Sequence, residues 1–238
     1  MIIDNIGKFR KFMTFEDRHD RYIVHILRRP KDVKELGNEL GSNECQRLLR
    51  TYYIDSLEYF DKKIPAIKEL CKSNRARAYI IPQVRNNEEC LLNLAKKVIE
   101  TIRLKNYSVK PEHLLRSAYC EYHNSRKKVW ILDLDNDNMT EKKEVLAFPG
   151  PRYETKTWTV NEVLSFVKSQ LIAVGKKEDE CFVIDTKSGH HIITSPFNLQ
   201  AAYKDCSMLF EGVHKVDGKE IVGWLHKDGM SLLYLDLD

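Results

Sequence analysis

The chain has 238 residues, of which 42% are hydrophobic and 10% aromatic. This content is sufficient to bury a core in one large domain or two small ones, and it argues against a disordered chain. The formal net charge of +4 excludes the strongly cationic surface of a nucleic-acid coat protein, so contacts with nucleic acid must come from local clusters.

The cysteine pattern and the hydropathy exclude two further classes of protein. The six cysteines form no Cys-x-x-Cys pair, and none has the short spacing to histidine that structural zinc sites use. Residues 1–14 lack the apolar core of a signal peptide, and no run of about eighteen apolar residues occurs. We therefore expect a cytoplasmic protein with free thiols and no membrane partner.

The first half of the chain alternates strand-type and helix-type patterns. Apolar residues that recur every three or four positions indicate helices, and short runs rich in β-branched and aromatic residues indicate strands. These patterns predict strands at residues 22–27, 48–54 and 75–82, and helices at residues 57–70 and 86–105. An α/β portion is expected from this alternation.

The second half begins with a predicted hairpin whose strands are residues 117–122 and 128–135. Thr159 and Glu162 have the spacing of a capping box, which predicts the start of a helix, and Gly175 is suited to end it. Residues at 181–184 and 190–194 are then expected to form strands on either side of a polar turn. Asp-Gly pairs at 217–218 and 228–229 predict two further hairpins.

Two aspartates end the predicted strand at 128–135. Because side chains alternate along a strand, Asp133 and Asp135 are expected on the same face. Carboxylate oxygens are ligands that Mg²⁺ and Mn²⁺ prefer, and a shared cation relieves the repulsion between neighbouring acids. The pattern predicts a Mg²⁺ or Mn²⁺ site for phosphoryl transfer; a strand that simply ends in hydrated acids is the alternative.

The turn at 186–189 carries groups that can bind phosphate. Lys187 supplies a charge, Ser188 supplies a hydroxyl, and Gly189 allows a ligand to approach the main chain. His191 enters the next strand and can hydrogen-bond a phosphate oxygen or aid proton transfer. An ordinary polar hairpin turn is the alternative interpretation.

The order of these motifs resembles the catalytic palm of the archaeo-eukaryotic primase superfamily, which includes primase small subunits and primase-polymerases. Its first motif, a hydrophobic strand ending in Asp-x-Asp, is matched by residues 131–135, and its second, Ser-Gly-x-His, by residues 188–191. The resemblance covers about residues 128–238. It implies an RRM-like sheet of mixed or antiparallel strands, metal-binding aspartates and a nucleotide-binding histidine.

That superfamily has a third motif, a strand with another metal-binding aspartate. Asp228 is our first candidate for this ligand, and Asp236 is the alternative. The chain also resembles a family of uncharacterised bacteriophage proteins, in residues 75–80, 130–135, 186–198 and 225–234. This second resemblance implies a phage protein in the host cytoplasm but supplies no activity. Together with the first resemblance, it gives other phage replication proteins as expected partners.

Basic residues outside the two motifs are further candidates for phosphate contacts. Arg75 and Arg77 alternate on a predicted strand and are candidates for binding nucleic acid. His226 and Lys227 are candidates for binding a nucleotide beside the Ser188 turn. A solvated strand edge and a polar turn are the respective alternatives.

Three functions are compatible with these residues. The first is a metal-dependent nucleotidyltransferase of phage DNA replication or repair, primase or primase-polymerase-like, which uses nucleotide triphosphates and a single-stranded DNA or RNA template. The second is a non-catalytic phage accessory protein that binds nucleic acid or a host protein through the same fold. The third is a metal-dependent phosphatase, because Asp133-x-Asp135-x-Asp137 also resembles the first motif of haloacid-dehalogenase-type phosphatases.

The predicted fold class is α/β, of the α+β kind. An N-terminal α/β portion, residues 1–112, is expected to pack against a primase-like catalytic palm, residues 113–238, in one compact unit.

Overall fold

A computed structural model confirms the α/β, α+β class, with helices packed on sheets of mainly antiparallel strands. The chain divides into two compact units, unit 1 (Met1–Lys128, Leu232–Asp238) and unit 2 (Val129–Ser231). The structure describes residues 1–29, 32, 47–121, 125, 127–135, 139–145, 152–210, 213–216, 219–227 and 229–237.

Unit 1 contains a five-stranded sheet whose spatial order is β1-β13-β4-β2-β3. The strands are β1 (Ile2–Asp4), β2 (Asp20–Arg28), β3 (Arg47–Ile54), β4 (Arg77–Asn86) and β13 (Ser231–Asp236). The helices described in this unit are α1 (Ile6–Phe12), α2 (Leu57–Asn74), α3 (Asn87–Arg103) and α4 (Pro111–Cys120). The predicted strands and helices of the first half are therefore confirmed, except for the bounds of the strand predicted at 75–82, since β4 begins at Arg77 and continues through Pro82 to Asn86.

The predicted boundary between residues 112 and 113 falls inside α4, which belongs to unit 1. The prediction of a strand at 117–122 is wrong for the same reason, because α4 continues to Cys120. Its Tyr119 side chain is buried in a cluster with Ile23 and Cys90. Tertiary packing thus overrides the strand-type composition of this segment.

His25 lies on β2 and is 6% exposed, with its Nδ1 2.9 Å from the hydroxyl of Thr51. Burial, together with the positive charge of Arg116, lowers the pKa of His25 from 6.5 to about 4. The folded state therefore favours the neutral imidazole. Its contribution to stability is complete above pH 6.5 and is lost as the pH falls from 6.5 towards 4.

We expect this histidine to make the protein acid-sensitive. Between pH 7 and pH 4, the free energy of unfolding of the wild type should fall by about 3 kcal/mol more than that of His25→Gln, because only the wild type must protonate a buried imidazole. Urea denaturation of both proteins across this pH range measures the difference. Parallel pH profiles would contradict the expectation.

Unit 2 contains a four-stranded antiparallel sheet in the order β12-β5-β9-β8. The strands described in unit 2 as a whole are β5 (Trp130–Asp135), β6 (Thr140–Val145), β7 (Arg152–Thr157), β8 (Cys181–Asp185), β9 (Gly189–Thr194), β10 (Val213–Val216), β11 (Lys219–Val222) and β12 (Leu225–His226). Its α-helices are α5 (Val160–Ala173) and α6 (Leu199–Asp205). The pairs β6–β7 and β10–β11 form two separate hairpins.

Along the chain, the strands of the four-stranded sheet and the α-helices between them follow in the order β5, α5, β8, β9, α6, β12. The predicted capping box starts α5: Thr159 Oγ1 accepts from the Glu162 N–H at 3.3 Å, and Glu162 Oε2 accepts from the Thr159 N–H at 2.7 Å. Gly175 follows the helix in a left-handed conformation, with φ of 74°, as predicted.

The sheet of unit 2 has two different faces. One face packs on α5, because alternate residues of β5 enter the same buried cluster as residues of that helix. The members of this cluster from β5 and α5 are Trp130, Leu132, Leu134, Val163, Val167 and Leu171. The other face carries Asp133 and Asp135, both partly exposed.

The two Asp-Gly pairs have different outcomes. Strands β10 and β11 pair across residues 217–218, so the first predicted hairpin is confirmed, although its turn lies outside the described residues. The second prediction is wrong: β12 pairs with β5, and β13 pairs with β1.

Two expectations about the whole chain can be compared with the described residues. None of the helices in this part of the chain combines the length and the apolar character that a membrane crossing needs. Five of the six cysteines are described, and these five are free thiols.

Candidate functional site

The register between β5 and β9 brings the two predicted motifs together. Asp133 lies opposite His191, and Asp135 lies opposite Gly189. Residues directly opposite in an antiparallel pair share a face of the sheet. Asp133 Oδ1 is accordingly 3.2 Å from His191 Nε2.

Ser231 holds the other side of the imidazole ring. Its Oγ lies 2.7 Å from His191 Nδ1, and the serine itself is fully buried. Because both ring nitrogens are engaged, the orientation of His191 is fixed. Ser231 was not among the predicted site residues, since a single serine at the start of a strand has no pattern that marks it.

A hydroxyl, an imidazole and a carboxylate interact in series in Ser231, His191 and Asp133, as they do in serine hydrolases. In this protein, however, the carboxylate and not the hydroxyl is the exposed end of the series. Ser231 has no exposed surface, whereas 34% of the Asp133 side chain and 13% of the His191 side chain are exposed. A nucleophile must reach its substrate. The buried serine therefore positions the histidine, and Asp133 is the group that can contact a ligand.

The environment of Asp133 favours its ionised form. Burial alone would raise the pKa of Asp133, but the hydrogen bond to His191 and the charges of His191 and His226 outweigh burial and lower this pKa below its usual value. His226 contributes because it lies opposite Ile131, on the same face as Asp133. Asp133 is thus an anionic oxygen donor.

The turn at 186–189 contacts the second aspartate. Ser188 Oγ donates to Asp135 Oδ1 at 2.7 Å. The turn is closed internally, since the Thr186 N–H donates to the Gly189 carbonyl and the Gly189 N–H donates to Thr186 Oγ1, each at 3.0 Å. Ser188 therefore supports Asp135 in the way that His191 supports Asp133.

Gly189 has a different role from the one that the sequence suggests. A Cβ atom at this position would lie 2.1 Å from the carbonyl oxygen of Leu134 and 2.9 Å from the Cα of Asp135. The absence of a side chain at Gly189 therefore allows the main chain of β5 to approach closely. The sequence suggests close approach by a ligand instead. Glycine at this position allows the register that places Asp133 opposite His191.

The two lysines predicted to bind a nucleotide lie in segments that adjoin strands of this sheet. Lys187 is half-buried in the 186–189 turn, and Lys227 is half-buried directly after β12. Gly229 packs against Ile131, because a Cβ atom added to Gly229 would lie only 3.2 Å from Ile131 Cδ1. Gly229 thus lies on the face that carries the two aspartates.

The third metal ligand is not found among the described residues. Asp228 lies outside them, as does Asp137 of the phosphatase-like motif. Asp236 is buried in unit 1, where Tyr234 Oη lies 3.4 Å from its Oδ2. Within the described part of the chain, no three His, Cys, Asp or Glu side chains cluster so as to hold a metal ion.

The donor set of Asp133 and Asp135 fits a hard divalent cation. Both are carboxylates, both project from the face opposite to α5, and Asp133 is held in the anionic form. Mg²⁺ in phosphoryl-transfer sites is usually bound by one or two carboxylates together with substrate phosphates and water. These two aspartates are therefore the residues that would hold Mg²⁺ or Mn²⁺.

The two arginines predicted to bind nucleic acid belong to unit 1. Arg75 ends α2 in a left-handed conformation, with φ of 48°. Arg77 is only 6% exposed, and its Nε donates to Asp32 Oδ2 at 2.7 Å while its Nη2 contacts Asp32 Oδ1. The guanidinium of Arg77 is thus directed into the protein, towards a fully buried carboxylate.

We expect Arg77 to contribute to stability. Arg77→Leu should lower the free energy of unfolding by about 3–5 kcal/mol, because it leaves the buried Asp32 carboxylate without its guanidinium partner. Arg10→Leu is the control, since Arg10 pairs with Asp61 at 2.9 Å on the exposed surface and its loss should leave stability close to that of the wild type. Urea denaturation distinguishes the two, and equal effects would refute the expectation.

Neither protein-family models, nor curated proteins, nor solved structures match this chain. Its function is therefore inferred from the geometry of the face that carries Asp133, Asp135 and His191.

Proposed function

We propose that unit 2 is the palm of a metal-dependent nucleotidyltransferase of the primase or primase-polymerase type. The observation that carries this proposal is the pairing of Asp133 with His191 on the sheet face opposite to α5. An Asp-x-Asp strand and a Ser-Gly-x-His strand, separate in the sequence, provide an anionic donor and an imidazole within 3.2 Å of each other.

The connectivity of unit 2 supports an RRM-like sheet. Among the four sheet strands, the chain order is β5, β8, β9, β12, and the spatial order is fourth, first, third, second. Helices α5 and α6 follow the first and third of these strands, which is the βαββαβ arrangement of split βαβ folds. In such two-layer folds one face of the sheet packs on helices and the other face can bind a nucleotide.

In this proposal, Asp133 and Asp135 would hold Mg²⁺ or Mn²⁺ together with the phosphates of a nucleoside triphosphate. The bound cation would supply neutralisation of phosphate charge and orientation of the transferred phosphate. His191, fixed by Ser231 through its Nδ1, keeps Asp133 in place through its Nε2. Lys187, with His226 and Lys227 in a separate segment, adds positive charge for the triphosphate.

The test is incubation of the wild-type protein with Mn²⁺, labelled nucleoside triphosphates and a single-stranded DNA template. We expect labelled oligonucleotides that require both the metal and the template. Salt-sensitive template binding without product would overturn the proposal in favour of a nucleic-acid-binding accessory protein. Release of phosphate from a generic phosphomonoester, without oligonucleotides, would overturn it in favour of a phosphatase.

A further inference from the structure

Helix α3 of unit 1 exposes a large apolar surface. Five of its large hydrophobic side chains are exposed, by 48% (Leu91), 61% (Leu92), 38% (Val98), 66% (Ile99) and 57% (Ile102). Ala95, between them, is exposed as well. A surface helix normally turns its apolar stripe towards the core, so this helix departs from the usual arrangement.

These six residues form one continuous stripe, the α3 stripe. With about 100° of rotation per residue, they fall within an arc of about 120° centred on Ala95. Cys90, which is fully buried, and Lys97, which forms an ion pair with Glu121, lie on the opposite side of the helix. The helix is thus attached to unit 1 by its less apolar side, and exposed apolar surfaces of this kind mark interaction sites.

The spacing within the α3 stripe is suited to packing against another helix. Leu92, Ala95, Ile99 and Ile102 follow one another at intervals of three, four and three residues, which is the seam of a two-helix coiled coil. The small side chain of Ala95 in the middle of this seam allows the axes of two helices to approach closely.

The charges at the two ends of the helix indicate which helix would cover the stripe. Glu88 and Glu89 lie in the first turn, and Arg103 and Lys105 lie at or just after the end. Two antiparallel copies of α3 would place the acidic end of each opposite the basic end of the other. Parallel copies would place like charges together, which is unfavourable.

We propose that the protein forms a two-fold symmetric dimer in which α3 of one copy packs antiparallel on α3 of a second copy, through the α3 stripe. Such a contact is self-complementary, as a two-fold interface must be. The contact buries the apolar side chains of both copies, and it places the two helix dipoles antiparallel, which is a favourable arrangement. This dimer is independent of the function proposed for unit 2.

Sedimentation equilibrium of the full chain at micromolar concentration tests the proposal, with a dimer expected for the wild type. Leu92→Glu combined with Ile99→Glu should raise the dimer dissociation constant by about 100-fold or more, because two buried apolar contacts are replaced by charges. Ile172→Glu is the matched control: Ile172 is 55% exposed on α5 and should leave the dimer intact. Circular dichroism verifies that all variants are folded.

Charge reversal tests the antiparallel orientation. Glu88→Lys with Glu89→Lys should weaken the dimer by about tenfold, and Arg103→Glu with Lys105→Glu should do the same. The variant with all four changes should recover the wild-type dissociation constant. Parallel packing would instead leave the twofold variants close to the wild type, because like charges would still face each other at both ends. A monomeric wild type overturns the proposal, as does binding to anionic vesicles without dimers, or failure of the fourfold variant to recover.

Discussion

Asp133→Asn is expected to lower the rate of Mn²⁺-dependent nucleotide incorporation by about 10²–10³-fold, because a neutral amide cannot supply the anionic oxygen that a divalent cation requires. The substitution preserves the shape of the side chain, and Asp133 is partly exposed, so the fold should be retained. Incorporation of labelled nucleotide by purified variants, at matched protein concentrations and with circular dichroism spectra compared, measures the effect.

The same sheet provides a control for this substitution. Asp185 Oδ1 is 3.2 Å from His190 Nδ1, so a second aspartate–histidine pair exists. His190 lies opposite both Leu134 and Asp185, which places this pair on the α5 side of the sheet. Asp185→Asn should therefore leave incorporation near the wild-type rate. Similar losses in the two variants would show that the face carrying Asp133 has no special role.

Gly189→Ala is expected to lower the stability of unit 2 by about 2–3 kcal/mol, since the new Cβ would overlap with neighbouring atoms that cannot rotate away. Those atoms belong to the main chain of β5, namely the Leu134 carbonyl oxygen at 2.1 Å and the Asp135 Cα at 2.9 Å. Relief requires β5 and β9 to separate or to change register. Either change would also disturb the contact between Asp133 and His191.

Thermal unfolding of Gly189→Ala, compared with Gly175→Ala, isolates this steric effect. Gly175 has no atom within 4 Å of its virtual Cβ but has a φ of 74°. Its substitution should therefore cost only the backbone strain of a left-handed alanine, about 1 kcal/mol. If both variants lose the same stability, the close approach of β9 to β5 is not what requires glycine at 189.

The elements that sequence predicts well are those whose signals are local. The capping box of Thr159 and Glu162 lies within one turn of α5, and the structure contains both of its hydrogen bonds. The two Asp-Gly pairs show where a local signal is insufficient. Both carry the same hairpin signal, but only the first joins two paired strands, because β13, after the second, pairs with β1 near the start of the chain. A hairpin signal cannot compete with a long-range pairing that buries a whole strand.

The candidate site shows the same division. Strand alternation places Asp133 and Asp135 on one face of the sheet. The order of the motifs predicted that this face would also carry His191, and the register of β5 and β9 confirms it. Ser231 could not be predicted, because its role depends on the fold alone. The pairing of Arg77 with Asp32 could not be predicted for a similar reason, since Asp32 lies in a distant segment of the chain.

Unit 2 interrupts unit 1, and this has a consequence for biosynthesis. Strand β13 takes an inner place in its sheet, between β1 and β4, although it is translated after all of unit 2. A nascent chain therefore presents two unsatisfied sheet edges until residues 231–236 have been translated, and such edges are prone to aggregation. We expect the inserted unit to fold first on the ribosome, and chaperones to shield the incomplete sheet until β13 has left the ribosome.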